Sequence, residues 1–357
     1  MLLRVPDFYD SFQCIAGKCT DTCCVGWEID IDEASAKRYA SIKSDFGDTL
    51  RQNIEDGHFK LLPGDRCPFL LQDGLCEMIC RLGESSLCDI CREHPRFVEV
   101  YGDIMEKGVG LCCEEAVRLL LDAKGNLDFP IAFVEREIDD EPDDIPDDAI
   151  EARDAILDER NQLFKLLADH TRPFNERLVE MLDFAIATSG IENSNEITSA
   201  VNAYTPAQIQ KIWIDILGKG ESIGPDWDRA YKEISNNPST CAPELFSDSD
   251  GEKIIAYLLF RYYGKSLFDG NSLAKVQFAL FFWVILKKFG SILAHAGHTG
   301  TNQASPSQIT PQTAKINAIK LLSKQTEYSE EIMGILETEF MENAAFSPDN
   351  FKKILME

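Results

Sequence analysis

Eleven of the 12 cysteines fall between Cys14 and Cys113, and only Cys241 lies in the remaining two-thirds of the 357-residue chain. Thiols at that density are oxidised to disulfides, buried singly or given to a metal, and the redox compartment decides among these. The first ten residues carry Asp7 and Asp10 and lack the basic and apolar blocks of a secretory leader. The cytoplasm is therefore the expected location. Glutathione keeps thiols reduced there, so metal binding is the better reading than a disulfide framework.

The cysteines run as Cys14-x4-Cys19-x3-Cys23-Cys24, then Cys67-x8-Cys76-x3-Cys80-x7-Cys88-x2-Cys91, then Cys112-Cys113. Thiolates bind soft or borderline metals strongly, and a site needs three or four of them converging from turns rather than from one rigid helix face. Cys88-x2-Cys91 alone also suits a thioredoxin-like redox centre, but in so crowded a segment it points to a metal. Zinc prefers two regular Cys-x2-4-Cys knuckles; the irregular spacing here favours an iron–sulfur centre, with zinc as the alternative. In the pairs Cys23-Cys24 and Cys112-Cys113, successive side chains of an extended segment point opposite ways. One member can then ligate while the other packs or serves a second site.

His94 reads as a packed or partly exposed histidine, because enough thiols are present without it. His295 and His298 lie in a polar stretch without acidic or cysteine neighbours in sequence and read as exposed. A radical adenosylmethionine loop, C-x3-C-x2-C, would need a third cysteine at position 26, where Gly26 stands. Gly218-Lys219-Gly220 follows a helical run, Trp213 to Leu217, and reads as helix termination rather than a dinucleotide turn. The residues alone name no catalytic group and no pocket for a nucleotide or S-adenosylmethionine.

The expected fold class is α+β: a small cysteine-rich metal-binding domain over residues 1–130, an acidic linker over 131–154, and a mostly α-helical domain over 155–357. In the first part, alternation from Trp27 to Asp32 predicts a half-buried strand, with Asp32 capping a helix through Ala34 to about Ser44. Asp73-Gly74 and Tyr101-Gly102-Asp103 predict hairpin turns. A helix from Glu114 to Ala123 is expected to end at Lys124-Gly125. The run from Glu135 to Asp154 is mostly Asp and Glu and contains Pro142 and Pro146, so it reads as a solvated connector.

Beyond it the periodicity is helical. Ile254–Phe268 and Leu273–Phe289 are apolar on nearly all sides and should be the central buried helices, with Phe278, Phe281, Phe282 and Trp283 as core rather than a cofactor platform. Two closing helices are expected over Ala314–Lys324 and Ser329–Phe340. No stretch reaches the ~20 apolar residues of a membrane span; the nearest, Val276–Leu286, is flanked by Lys275, Lys287 and Lys288. A net charge of -26 argues against nucleic-acid partners and suits a basic one, though solubility alone explains it.

The order of motifs resembles the flagellin lysine N-methylase family. The matching segments are Phe12-Gln13-Cys14 with Cys19 and Cys23-Cys24-x-Gly26-Trp27; Cys67-Pro68-Phe69-Leu70 with Gly74-Leu75-Cys76; Cys91-x2-His94-Pro95-Arg96; Cys113-x-Glu115-Ala116; and, later, Phe268-Asp269-Gly270 and Glu327-Tyr328-Ser329-Glu330-Glu331. The resemblance implies methyl transfer from S-adenosylmethionine to lysine ε-amino groups of flagellin, in an enzyme with a [4Fe–4S] cluster. Its pattern picks out Cys14, Cys19, Cys23, Cys24, Cys67, Cys76, Cys91 and Cys113 as metal-ligand candidates. Cys80, Cys88 and Cys112 stand where that pattern has no expected cysteine, and His94 where an aromatic residue is more usual. Eight thiolates exceed the four that one cluster uses. The competing reading is a non-enzymatic iron–sulfur or zinc protein that senses metal or oxidants, since no donor pocket is visible.

Overall fold

The computed structural model describes residues 1–26, 28–142, 146–190, 204–236, 245–295 and 310–357. Trp27, Cys241, His298 and the side chain of His295 lie outside the described residues. The fold is α+β. Among the described residues one four-stranded sheet runs in the order β4-β5-β1-β6. Its strands are β1 (Leu2–Pro6), β4 (Arg96–Tyr101), β5 (Ile104–Val109) and β6 (Phe133–Glu137). β1 lies parallel to β5 and antiparallel to β6, and β4 and β5 form an antiparallel hairpin. That hairpin turns at Gly102, whose φ of 68° is a left-handed conformation that glycine adopts without steric penalty.

β6 lies inside the 131–154 stretch expected to be a connector, and α6 (Asp147–Ala168) begins within it too. Acidic composition did not prevent a strand because Glu135 and Glu137 sit at a sheet edge, where charged side chains reach water while Phe133 packs inward on Phe164 and Phe260.

Between β1 and β4 the chain builds a separate small core. It holds α1 (Glu33–Ser41), α2 (Asp45–Gln52), a two-residue hairpin of β2 (Ile54–Glu55) and β3 (His58–Phe59), α3 (Glu77–Leu82) and α4 (Asp89–Glu93). Ile29, Tyr39, Leu50, Phe59, Phe69 and Met78 are buried in it. Of the strand expected over Trp27–Asp32, Trp27 lies outside the described residues and residues 28–32 form no strand. Asp30 makes one isolated bridge to His58, and the hairpin beside it is too short to propagate a ladder.

Asp32 does cap α1, with Oδ1 accepting from Ser35 N (2.8 Å), and its Oδ2 accepts from Asp89 N at the start of α4 (2.9 Å). One carboxylate therefore ties two helix N-termini together, and these hydrogen bonds, that from Asp89 foremost, hold its pKa down at about 2. Asp32→Ala should cost about 1–2 kcal/mol, read as a lower urea midpoint at pH 7. Because the folded pKa is depressed, the contribution is present above the unfolded value near ~3.9 and lost as pH falls through about 2. The difference between variant and parent should shrink across that window.

The longer elements of the other described residues are helices: α5 (Glu114–Asp122), α6, α7 (Phe174–Thr188), α8 (Pro206–Leu217), α9 (Pro225–Asn236), α10 (Asp248–Tyr262), α11 (Ser272–His295), α12 (Pro311–Thr326), α13 (Glu330–Glu342) and α14 (Pro348–Leu355). Their starts are written in the sequence. Thr205 and Gln208 form a capping box on α8, Ser247 and Asp250 another on α10, and Thr310 caps α12 ahead of Pro311. α10 and α11 are buried almost all round, as their uniform apolarity predicts. Trp213 of α8 stacks on Phe346 at 5.4 Å and donates Nε1–H to Ala345 O at 3.0 Å.

α5 ends at Asp122, before the expected stop at Gly125, with Ala123 N donating back to Leu120 O. This large core also takes in Phe8, Phe12, Val109, Leu111 and the buried face of α5, so the sheet packs with the helices and the small core stands beside them. A buried ion pair joins the layers: Arg160 of α6 donates to both carboxylate oxygens of Glu106 on β5 (2.5 and 2.7 Å), with side chains 0% and 1% exposed.

Candidate functional site

Three of the cysteines occupy helix N-cap positions: Cys76 before α3, Cys88 before α4 and Cys113 before α5. Ser, Thr, Asp or Asn is usual there because a side-chain oxygen can cap the helix. Each thiol instead lies at the positive end of a short helix, against the backbone N–H groups of its first turn.

The eight cysteines singled out by the sequence fall into two neighbourhoods of four. Cys23 has Cys14 and Cys113 beside it, and Cys113 in turn has Cys14 and Cys19 nearby. Glu114, the first residue of α5, gathers this group. Its Oε2 accepts from Thr20 N (2.8 Å), Thr20 Oγ1 (2.6 Å) and Cys19 Sγ (3.6 Å), which holds the 19–20 turn against Cys113. Ala16 N donates to Cys14 Sγ at 3.4 Å. Cys14 and Cys23 are exposed and Cys19 and Cys113 partly so, which makes this the open neighbourhood. Burial pushes the Cys19 thiol up to about 12 and raises Cys113 as well.

The second neighbourhood lies inside the small core. Cys67 is buried there, with Cys24, Cys76 and Cys91 packed against the same cluster. Cys67 N donates to Cys24 O at 2.8 Å, so the two cysteines sit on adjacent extended segments. Cys88, wholly buried, joins them, and its thiol and that of Cys91 hydrogen-bond one another; the bond favours the Cys88 thiolate and raises Cys91. The Cys23 and Cys24 side chains hydrogen-bond one another, so the two neighbourhoods meet at this pair. Cys80 is exposed on α3 and Cys112 is buried on the helical side.

The open thiols border a charged seam on α12. Asp21, in the loop between Cys19 and Cys23, pairs with Lys324 (2.5 Å) and Lys320 (3.2 Å). Burial acts to raise its pKa, but the two ammonium groups outweigh that and hold it down at about 2.

Beyond lies a network that sequence reasoning missed. Glu327, at the end of α12, has a wholly buried carboxylate whose Oε2 accepts from Arg261 (2.9 Å), Tyr257 (3.2 Å) and Tyr262 (3.2 Å). The Arg261 guanidinium is boxed by the rings of Phe97, Tyr328 and Tyr262 at 4.8, 4.9 and 5.2 Å. Tyr257 Oη accepts from Leu111 N at 3.4 Å, tying the network to the segment that carries Cys112 and Cys113. Tyr328 crosses Gly110 so closely that a Cβ there would meet its hydroxyl at 1.7 Å. His94 lies 3.8 Å from Cys112 Sγ, and burial lowers its pKa to about 4, aided by Lys324 and Arg261, so it is neutral. The available signal was Arg261 itself, a cation inside the 254–263 run of aliphatic and aromatic residues, which demands a buried carboxylate.

Among the described residues, no three His, Cys, Asp or Glu side chains are arranged as a metal-binding group. What the structure provides is neighbourhood: four thiols in the open group and five in the small core, with the pairs Cys23–Cys24 and Cys88–Cys91 in contact. Likewise, no helix among the described residues is long and apolar enough to cross a membrane.

No protein-family profile matches the chain, and no solved structure matches it. Curated relatives do. The chain is 29% identical over 131 residues to a protein named Lysine-N-methylase from Salmonella typhimurium, and equally so to one of that name from Salmonella choleraesuis, covering 33% of this chain and 32% of each of them. It is 30% identical over 127 residues to the flagellar biosynthetic protein FliU of Salmonella muenchen, covering 33% of this chain and 75% of that one. The match thus spans about a third of the two methylases' length and three-quarters of FliU. With the motif order seen in the sequence, this places the chain in the flagellin lysine N-methylase family.

Proposed function

We propose that the protein transfers a methyl group from S-adenosylmethionine to lysine ε-amino groups of flagellin, and that Cys14, Cys19, Cys23 and Cys113 hold a [4Fe–4S] cluster. The observation that carries the reading is the similarity to two proteins named as lysine-N-methylases. In the reaction the donor's S–CH3 bond breaks and an N–CH3 bond forms. The sulfonium becomes a neutral thioether, and the lysine nitrogen, which attacks as a free amine, gives up a proton to solvent or a base.

Both reactants arrive as cations, and the chain's net charge of -26 favours their approach. When bound, a cluster ligated by four thiolates would carry net negative charge and would brace the open end of the cysteine segment. The chain's own residues shape what surrounds it: Glu114 fixes the Cys19–Thr20 turn, Asp21 and its two lysines pin the 19–24 loop to α12, and neutral His94 lies beside the Cys112–Cys113 segment.

The test is to incubate anaerobically purified protein with flagellin monomer and S-adenosylmethionine, and to map methylated lysines by peptide mass spectrometry. Methyl-sized increments on flagellin lysines that require the donor are the expected result. Metal-replete, folded protein that leaves flagellin unmodified would refute the proposal.

A further inference from the structure

Lys320, Ser323 and Lys324 of α12 and Glu327 at its end recur at three- and four-residue spacing and so share one face of the helix. A buried helix face is ordinarily apolar. Here Ser323 and the Glu327 carboxylate are both 0% exposed. Most polar atoms of this face have partners. Both lysines pair with Asp21, and Glu327 Oε2 accepts from Arg261, Tyr257 and Tyr262. Ser323 Oγ and Glu327 Oε1 are the exceptions: each is buried and has no hydrogen-bond partner among the described residues.

A buried hydroxyl on a helix has an easy remedy, which Thr326 takes by donating back to Leu322 O at 2.8 Å. Ser323 does not take it. Polar atoms left open inside a protein are costly and are kept where something else completes them. Their chemistry says what that is. A carboxylate oxygen only accepts, and a hydroxyl one turn away can accept too, so the pair calls for a small group with two N–H donors. Arg261 beside Glu327 and Lys324 on the same face disfavour a further full positive charge, as His94 shows: burial first, then these two cations, keep it uncharged. A neutral primary amine meets both conditions, with one N–H for each oxygen and its lone pair left over. Tyr328 follows Glu327, keeps part of its surface in solvent and lies across Gly110 beside the Cys112–Cys113 segment, which puts the way in next to the open thiols.

We propose that Ser323 Oγ and Glu327 Oε1 hold the methyl-accepting lysine, each taking one N–H of its unprotonated ε-amine. The assignment rests on the methylase reading and supplies the acceptor half of that site. The lysine leaves its ammonium proton in solvent on entry. Its lone pair forms the N–CH3 bond as the donor's S–CH3 bond breaks, and the methylammonium product carries the positive charge that the sulfonium has lost.

Ser323→Ala separates this role from a structural one. Removing a buried hydroxyl that has no partner should leave the thermal midpoint at or above the parent's, while kcat/KM for flagellin methylation falls about tenfold. Binding is read without the reaction by saturation-transfer NMR on the full chain at about pH 9, where some amine is unprotonated. The probes are n-butylamine, which matches the lysine side chain, and butyltrimethylammonium, which has no N–H to donate. Transfer to butylamine alone, lost in Ser323→Ala, is the expected result. No transfer to butylamine in the parent, equal transfer to both probes, or undiminished transfer in Ser323→Ala would each overturn the proposal. Parent-like methylation by Ser323→Ala would do the same and leave the two oxygens to a water molecule. Butylamine binding that depends on Ser323, in a folded chain that leaves flagellin unmodified, would instead fail the methylase reading and leave the amine site standing.

Discussion

Arg160→Met should destabilise the protein by about 3–5 kcal/mol, because it strands the Glu106 carboxylate in the interior. Glu106 is 1% exposed and takes both its close charged hydrogen bonds from Arg160; Arg4, 3.7 Å away, is a poorer partner. Arg160 also donates to Phe260 O at 3.1 Å, so the change loosens α6 from α10 as well as from the sheet. The double variant Glu106→Leu with Arg160→Met should recover much of the loss, since a well-packed apolar pair can match a buried ion pair. Urea unfolding of the four members of this cycle measures the coupling directly. A single variant as stable as the parent would mean that water reaches the pair.

The second large effect is expected at Arg261→Met. Glu327 would then be buried without a cation, again at a cost of about 3–5 kcal/mol. The consequence should also appear locally. Arg261 donates to Tyr257 Oη at 2.9 Å, and that hydroxyl is what Leu111 N donates to. With the arginine gone, the 110–113 segment loses its anchor and Cys112, 8% exposed in the parent, should be alkylated faster by iodoacetamide. Peptide mapping of labelled cysteines under native conditions checks this, with Arg160→Met as the control that should leave Cys112 slow. Equal labelling in both variants would mean that the network does not position the cysteine segment.

The sequence disclosed those parts of the fold whose cause is local. Asp32 announces a cap, Gly102 a turn, and the unbroken apolarity of Leu273–Phe289 a buried helix, and the structure has each of them. Long-range pairings were not legible. Nothing in Leu2–Pro6 says that it pairs with residues a hundred positions away, and the acidic 135–137 run conceals an edge strand. The short α14 also went unread, although Ser347-Pro348 marks its start. For the site, cysteine spacing marked the thiol-rich segment but not how its thiols gather in the fold. Cys23 and Cys24 are neighbours in sequence, and only the fold shows that their thiols touch and that Cys24 also reaches Cys67. Arg261 and Glu327 were separately visible, but their pairing across 66 positions belongs to the packing of α10 on the end of α12.

The place of β1 in the middle of its sheet bears on the order of events during synthesis. Its two neighbours are residues 104–109 and 133–137, so β1 waits for both before it can be enclosed. Every cysteine from Cys14 to Cys113 has been translated by the time the second of them is made. The intervening small core is tethered at both ends by that late closure, yet depends on none of the sheet's residues for its own buried set. A nascent chain of this protein can therefore settle its thiol-rich core first and shut the sheet beside it afterwards, so that the thiols gather co-translationally rather than in the finished fold.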